Sequence, residues 1–495
     1  MPNYTKTAVK GALTVIIISA IAAVFGYLVR LVMARTLSVE DFGLFYAVFA
    51  FLGLFGIFKT LGFDKALIKF IPEFLHEKKY DELKSSILYA AIIQLITSLI
   101  TILIVYFLSD YLAKNYFHNE KASLVLILMA ISFMFDSFTQ VLKFSFQGFK
   151  KMSYFSGIDL VRMIIILIVI LIGSWLNYDI LGPVLAYIIS PAILTIIFGL
   201  LLIKVFPQFT KSKFTFQKTL FKKISRYGIF VLATSFAGFI LWYTDTIMIT
   251  YFLGLTSVAL YNVALPTAKL FLYFPRAFGG IFLPLTSEFW AKKENGLLIA
   301  GVEALYKYSA IIIIPAVFIV FSFSDLIISI FFGSNYAEAG NTLKILIIGM
   351  IFAAINGISI NIFSGIGKPE INSKIVYSTA AFNFISNLAL IPLWGINGAA
   401  LSTTLSYFIM MVMGLVYTRR FIDPKLPIWI WAKTIFAGLL MVAVIYALKN
   451  LLFLNIWIES AIILLVSSII YISLLFLLKT ISVKELKQII NRIVN

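Results

Sequence analysis

The stretch GYLVRLVMARTLSVEDFGLFYAV, Gly26 to Val48, joins the end of the first long apolar run of the chain to the start of the second. Arg30 interrupts that first run. A charged side chain inside a bilayer is costly unless it reaches the interface, faces a cavity or meets an opposite charge. The stretch therefore indicates two membrane-spanning helices and one charge that requires a compensating contact.

The composition extends this interpretation to the whole chain. The 495 residues are 61% hydrophobic, whereas soluble domains are nearer half apolar and a quarter charged. The sequence therefore predicts an all-α polytopic membrane protein. No small-residue cleavage signature follows the first apolar run, so we expect a retained helix there. Cysteine is absent and the two histidines, His76 and His118, lie in separate loops, so we expect no disulfide, metal site or cofactor.

Apolar runs of about twenty residues, the length that crosses a bilayer, predict about fourteen helices. They lie near residues 11–34, 42–63, 85–108, 122–147, 154–175, 181–204, 227–251, 258–287, 304–332, 342–366, 371–392, 396–418, 430–448 and 456–478.

The basic residues predict the orientation of these helices. With the N-terminus inside, thirty Lys and Arg residues fall in inner segments, and five fall outside: Arg35, Lys114, Lys121, Lys344 and Lys449. Because positive charge concentrates on the cytoplasmic side, we expect both termini to be cytoplasmic and the protein to lie in the cell membrane. The same asymmetry accounts for the net charge of +18 without a nucleic-acid partner, since the basic residues form no continuous surface.

The chain repeats itself at an offset of about 215 residues. RLVMART from Arg30 aligns with DTIMITY from Asp245, and FQGFKKMSYFS from Phe146 aligns with FSGIGKPEINS from Phe363. Glycines and loop lysines coincide in these alignments, so shared hydrophobicity alone does not explain them. Because six crossings return the chain to its starting side, the repeat predicts two six-helix lobes of the same orientation, followed by a final helix pair.

The predicted organisation has five parts. They are an N-terminal lobe at 1–205, a basic cytoplasmic linker at 206–226, a C-terminal lobe at 227–420, helices 13 and 14 at 421–480, and a cytoplasmic tail at 481–495. Phe and Lys residues of the linker favour contact with anionic lipid headgroups. The tail segment SVKELKQIINRIV places its apolar residues on one helical face, which is typical of an amphipathic surface helix.

Catalytic motifs are missing. GIGKPE, at residues 365–370, lacks the earlier glycine of a nucleotide-binding loop and follows its lysine with proline. No outer loop holds a paired-carboxylate, Cys/His or Ser/His arrangement. We therefore expect a protein that is not an enzyme and that draws energy from a substrate gradient, an ion gradient or the membrane potential.

Seven ionisable residues remain at membrane depth, where each marks a candidate functional site: Arg30, Lys59, Asp136, Arg162, Asp245, Lys269 and Arg276. Lys269 and Arg276 are seven residues apart and share one helix face. We predict a cationic ladder of Arg30, Lys269, Arg276 and Lys59 that lines a cavity between the lobes. Such a cavity suits an anionic headgroup, above all phosphate, which Arg and Lys bind through charge-assisted hydrogen bonds.

Other interpretations of these charges stay open. Arg30 lies near enough to the outer interface to extend into it, or it neutralises Asp245, its counterpart in the repeat; the two could also form a gate. Lys59 and Arg162 lie near the cytoplasmic interface, where extension into the headgroups competes with cavity lining. Asp136 could carry a proton or a sodium ion, or pair with a neighbouring cation.

Four segments resemble one known family. They are ARTLSVEDFGLFYAV, LGFDKALIKFIPE, DTIMITYFLGLTSVALYNVA and GIGKPEINSKI. In order and separation they resemble the Wzx-type oligosaccharide flippases, the polysaccharide-biosynthesis branch of the MOP superfamily, which also holds the MATE exporters and the lipid II flippase MurJ. The resemblance covers nearly the whole chain, including the final helix pair.

The resemblance implies a two-lobed flippase that moves a polyprenyl- or dolichyl-linked oligosaccharide from the inner to the outer face by alternating access. It implies a cationic lumen and places that role on Arg30, Lys269 and Arg276, while Asp245 departs from the pattern in the sign of its charge. A glycan polymerase or transferase would be a further partner. The alternatives are a MATE-like ion-coupled drug exporter, a MurJ-like lipid II flippase, and a non-transporting scaffold or scramblase.

Overall fold

The fold is helical throughout the part of the chain that the structure describes. The computed structural model describes the backbone of residues 2–452, 455–482 and 485, and their side chains except at 2–10, 12, 57, 230, 233–237, 239–240 and 274–281. Within these residues, twelve helices are long and apolar enough to cross a membrane. The predicted all-α polytopic class is confirmed.

Sixteen α-helices follow one another along these residues. They are α1 Pro2–Thr36, α2 Val39–Thr60, α3 Phe63–His76, α4 Tyr80–Leu112, α5 Lys121–Gly148, α6 Met152–Trp175, α7 Leu181–Val205, α8 Gln208–Lys211, α9 Lys218–Leu253, α10 Leu255–Lys269, α11 Tyr273–Ala291, α12 Asn295–Phe332, α13 Ala339–Gly365, α14 Pro369–Phe421, α15 Ile428–Leu451 and α16 Ile456–Leu477. A π-helical turn, Ala113–Phe117, extends α4, and short 3-10 turns lie at Leu270–Leu272 and Ser334–Tyr336.

One helix boundary agrees with the sequence prediction and one does not. Gly395 interrupts α14 with non-helical dihedral angles, φ 60° and ψ −141°, at the point where the sequence predicts one helix to end and the next to begin. The predicted single helix at 258–287 is instead divided into α10 and α11 by the turn at Leu270–Leu272. Pro275 lies in the first turn of α11 and has no N–H group to donate to the carbonyl of residue 271, so the regular hydrogen-bond pattern is interrupted between α10 and α11.

Contacts divide the chain into two compact units. The first contains Met1–Val263, Phe331–Tyr336 and Phe384–Ala399, and the second contains Ala264–Ile330, Ala337–Asn383 and Ala400–Asn495. In the first unit, α1 packs on α6, α4 packs on α5, and α2 packs on α9. In the second unit, α11 packs on α13 and α15 packs on α16.

The short helix α3 corrects the sequence analysis, which placed its residues in an inner loop. Phe63, Leu67, Phe70, Ile71 and Phe74 are all buried. Their spacing of three and four residues places them on one helical face. The helix has only 14 residues, which is too short to span a bilayer. It therefore forms an amphipathic support that packs on α4, α5 and α9.

The predicted linker packs on this support. Phe206, Leu220 and Ile224 share a buried apolar cluster with α3 and the first turns of α4. An extended segment of the linker is also held by hydrogen bonds from α4: Lys84 Nζ donates to the Ser212 carbonyl at 2.9 Å, and the Tyr89 hydroxyl donates to the Thr215 carbonyl at 2.9 Å. The linker is therefore fixed to the first unit along much of its length.

A tight turn connects α2 to α3. Leu61 and Gly62 both have left-handed backbone dihedral angles, with φ 44° and 73°. A Cβ atom on Gly62 would collide with the carbonyl group of Gly228 in α9, so glycine is required by both its dihedral angles and its contact. This turn places Asp64, in the first turn of α3, next to the end of α2.

Candidate functional site

Three charges that lie far apart in the sequence meet inside the first unit. Lys59 Nζ, near the end of α2, lies 2.8 Å from Asp136 Oδ2 in α5. Arg162, from α6, contacts the other carboxylate oxygen of Asp136. Lys59 is only 6% exposed. One carboxylate therefore bridges two cations, and the group has one positive charge in excess.

The surroundings of Lys59 hold it in place. Its ammonium group lies 4.9 Å from the centroid of the Phe133 ring, at cation–π distance. The Thr97 hydroxyl of α4 donates to the Lys59 carbonyl at 2.6 Å. At the next residue of each helix, Ser98 after Thr97 and Ser137 after Asp136 share a hydrogen bond of 2.8 Å between α4 and α5. A polar seam therefore runs between these helices at the level of the ion pairs.

A cavity of about 510 Å³ opens beside these charges. It is lined by α2, the α2–α3 turn, α3, α5 and α9, and its lining residues are Gly56, Lys59, Thr60, Gly62, Asp64, Lys65, Phe133, Asp136, Gln140, Phe144, Val231, Leu232 and Tyr243. The lining combines both charge signs with aromatic rings. Lys65 Nζ lies 4.3 Å from the centroid of the Phe144 ring. The cavity thus offers ammonium groups next to an aromatic wall, within one compact unit.

Arg30 has different partners. Its guanidinium group lies 4.1 Å from the centroid of the Tyr46 ring and donates a hydrogen bond to the backbone carbonyl of Asn262. In a regular helix, residue 266 would donate to that carbonyl, but residue 266 is proline and has no N–H group. Arg30 thus replaces the donor that Pro266 removes from α10. The contact accounts for the charge in the opening stretch of sequence.

Asp245 is held by two neutral donors. The Tyr261 hydroxyl lies 2.5 Å from Asp245 Oδ2, and the Asn387 side-chain amide lies 2.7 Å from Asp245 Oδ1. The residue is only 4% exposed. These donors come from α10 and α14, and both Tyr261 and Asn387 lie in the parts of those helices that belong to the first unit. Hydrogen bonds to the charged form stabilise a buried carboxylate without neutralising it.

The remaining predicted residues lie in the second unit. Lys269 is the last residue of α10 and precedes the Leu270–Leu272 turn. Arg276 lies in α11, and its side chain is outside the described residues. The same holds for most of the tail at 481–495. The ladder of four cations and the surface helix of the tail therefore stay predictions.

Two charged residues near the cavity lie outside the predicted ladder. The sequence leaves cavity lining and extension into the headgroups both open for Arg162, and it predicts no role for Asp64. A signal for the Arg30 contact was present in the sequence: Pro266 leaves the carbonyl of Asn262, four residues earlier, without its helical donor. Among the described residues, no group of three or more His, Cys, Asp and Glu side chains could hold a metal ion.

Comparison with known proteins identifies the family. The sequence model of a family described as polysaccharide biosynthesis protein matches residues 8–290. The chain belongs to this family. A membrane protein of Methanocaldococcus jannaschii, described as uncharacterised, is 35% identical over 99% of each chain. A protein of Haloferax volcanii, named a probable low-salt glycan biosynthesis flippase, is 24% identical, over 92% of this chain and 93% of that protein. The predicted family is confirmed.

Solved structures support the same fold. The lipid II flippase MurJ, in an inward closed conformation, matches with a TM-score of 0.75 and 18% identity, over 92% of this chain and 97% of MurJ. An inward-facing multidrug resistance MATE transporter of the MOP superfamily matches with a TM-score of 0.66 and 14% identity, over 83% and 98% of the two chains. The family member described here therefore has the fold of the MOP superfamily.

Proposed function

We propose that the protein is a flippase that moves a lipid-linked oligosaccharide from the cytoplasmic to the outer leaflet of the cell membrane by alternating access. The observation that carries this proposal is the bridged charge group of Lys59, Asp136 and Arg162 beside the 510 Å³ cavity. The buried Lys59 and the partly buried Arg162 share one carboxylate, so one positive charge is available to a phosphate group of the substrate. The family and the Haloferax relative support a glycan substrate.

Binding would proceed by exchange of partners. The phosphate or diphosphate of a polyprenyl or dolichyl carrier competes with Asp136 for Lys59, while Arg162 retains the carboxylate. Charge-assisted hydrogen bonds make such an exchange favourable. Arg30, Lys269 and Arg276 would receive the phosphate later along the path. Carrying two negative charges outward across an inside-negative membrane gains roughly 2.3 kcal/mol per charge per 100 mV.

Asp245 is our proposed gating or ion-coupling residue. Its carboxyl group is buried in α9 and accepts hydrogen bonds from Tyr261 and Asn387, and an ionisable group inside a membrane protein is a candidate for such a role. Asp136 is the second residue proposed for this role, although its two ion pairs favour a structural part in the exchange.

The linker supports the proposed placement on the inner leaflet. Phe214 and Phe216 are 45% and 68% exposed, although the backbone between them is fixed to α4. Exposed Phe next to Lys is the composition of an interfacial anchor on anionic headgroups. Cytoplasmic termini follow from the same placement, and a glycan polymerase or transferase would act on the flipped substrate.

The test is reconstitution into proteoliposomes with defined lipid-linked oligosaccharides, scoring which headgroups become accessible on the far side. We expect oligosaccharide headgroups to be flipped, Lys59→Ala to reduce the rate strongly, and Lys222→Ala, at an exposed position of the linker, to leave it unchanged. Flipping of lipid II alone would indicate a MurJ-like activity. Export of organic cations would indicate a MATE-like exporter, and transport independent of Lys59 would indicate a scramblase or scaffold.

A further inference from the structure

Asp64 is a buried carboxyl group that the proposed exchange does not use. It lies in the first turn of α3, lines the cavity and is only 7% exposed. Its Oδ1 atom is inaccessible to solvent and has no hydrogen-bond partner. A buried carboxylate oxygen without a partner is costly. Its position therefore requires an explanation that packing alone does not supply.

The charged and titratable groups around Asp64 come from each neighbouring helix. Those that line the cavity are Lys59 of α2, Lys65 of α3, Asp136 of α5 and Tyr243 of α9; Arg162 of α6 lies behind Asp136, and α4, which packs on α3, carries Lys84. Most of these groups have other contacts. Lys59 and Arg162 bind Asp136, Lys84 binds the Ser212 carbonyl, and Lys65 lies over the Phe144 ring. Asp64 thus shares the cavity lining with Lys59 and Lys65, and its Oδ1 atom accepts a hydrogen bond from neither of them.

The two carboxyl groups of the cavity therefore differ in environment. Asp136 is stabilised as an anion by two direct ion pairs, whereas burial raises the pKa of Asp64, with Lys65 and Thr60 partly opposing that rise. Pairs of carboxyl groups with divergent environments commonly divide the roles of fixed anion and proton carrier. A metal cation is disfavoured next to Lys59 and Lys65, whereas a proton neutralises the carboxylate without adding a new charge centre.

We propose that Asp64 is a proton-binding site, and that it takes up a proton when an anionic phosphate group engages the lysines of the cavity. The lysines stabilise the ionised form of Asp64 through their positive charge. A phosphate bound to them cancels that charge, so the carboxylate binds a proton more strongly. Substrate binding and proton uptake are then linked, and the linkage has the same sign in both directions. The identity of the phosphate carrier rests on the proposed function; the proton site does not.

The experiment is a pH titration of the full-length protein in nanodiscs by infrared difference spectroscopy, which reports protonated carboxyl groups directly. We expect one buried carboxyl group to titrate above the ordinary range of Asp. The signal should be lost in Asp64→Asn and retained in Asp179→Asn, which removes an exposed carboxyl group. Asp64→Glu keeps a carboxyl group at the site and should retain the signal at a shifted pH, which separates loss of the group from loss of the fold.

The link between phosphate binding and proton uptake is tested separately in the same samples. Inorganic diphosphate should move the titration of the wild-type carboxyl group upward by about one pH unit, a shift typical of a single charge contact, and Lys59→Met should reduce that movement. Identical titrations in wild type, Asp64→Asn and Asp64→Glu would overturn the proton site. If Asp64 titrates as expected but the protein has no flipping activity, the proton site is supported and the proposed function is rejected.

Discussion

The first unit contains two groups of charged side chains with different contacts. Arg30 and Asp245 both contact neutral groups: a ring and a carbonyl for the arginine, and a hydroxyl and an amide for the aspartate. Lys59, Asp136 and Arg162 are held by one another. Removing one member of an ion pair leaves the other charge uncompensated, so Lys59, Asp136 and Arg162 depend on one another. A substrate anion can therefore bind Lys59 only by displacing Asp136, whereas the contacts of Arg30 and Asp245 named here involve no such exchange.

Removing the shared carboxylate should have the largest effect on stability. Asp136→Asn leaves Lys59 and Arg162 close together without an anion, and breaking a buried pair in this way costs about 3–5 kcal/mol. Thermal unfolding in detergent measures the loss. The double variant Asp136→Asn/Lys59→Met removes one of the stranded cations and should recover part of the stability. Equal stability of wild type and Asp136→Asn would show that the three charges do not depend on one another.

The cations of the second unit should control transport rather than stability. Lys269→Ala together with Arg276→Ala should abolish glycolipid flipping in proteoliposomes and leave the protein folded, since the two residues are proposed to carry the phosphate. The matched control is Lys292→Ala with Lys293→Ala, a pair of exposed residues just after α11. Full activity of the first double variant would reject the predicted cationic ladder.

Asp245→Asn tests whether the carboxyl group of Asp245 is needed for gating or ion coupling. The amide keeps the size of the side chain and can still accept from Tyr261, so we expect the protein to fold. Flipping should slow and its pH dependence should change, because the variant removes the charge that the site holds. Tyr261→Phe is the structural comparison: it removes one hydrogen bond and keeps the charge. If both the rate and the pH profile of Asp245→Asn match the wild type, the gating hypothesis is wrong.

The Arg30 contact can be tested through the proline that creates it. Pro266→Ala restores an N–H donor to the carbonyl of Asn262, so the carbonyl no longer depends on the guanidinium group. We expect Arg30→Ala to be less destabilising in the Pro266→Ala background, with a coupling of about 1 kcal/mol, the usual net value of one hydrogen bond. Additive effects of the two substitutions in thermal unfolding would argue against this account.

The sequence predicts the spanning helices well because each needs a long apolar run, and even the break at Gly395 falls where expected. It does not predict α3, because this helix is short and carries Lys65 and Lys69 on its exposed face. The division into two six-helix lobes stays a prediction.

The ion pairs also could not be predicted from the sequence, but for a different reason. A sequence shows that Lys59, Asp136 and Arg162 lie at membrane depth, but their contact depends on how α2, α5 and α6 rotate about their axes. The environment of Asp64 depends in the same way on the turn at Leu61 and Gly62 and on its contact with α9.

An ion pair near water gives the smallest expected effect and shows how much burial matters. Lys307 Nζ lies 2.9 Å from Glu485 Oε1, and the glutamate side chain is 38% exposed. The hydrogen bond from Lys307 lowers the pKa of Glu485. A carboxyl group with a lowered pKa contributes stability above its unfolded pKa, and that contribution is lost as the pH falls through the folded pKa.

Glu485→Gln should therefore lower the unfolding temperature slightly at neutral pH, far less than Asp136→Asn, and the difference from wild type should disappear in acid. A pH-independent difference would mean that Glu485 acts through packing, and an effect as large as that of Asp136→Asn would mean that burial does not distinguish the two ion pairs.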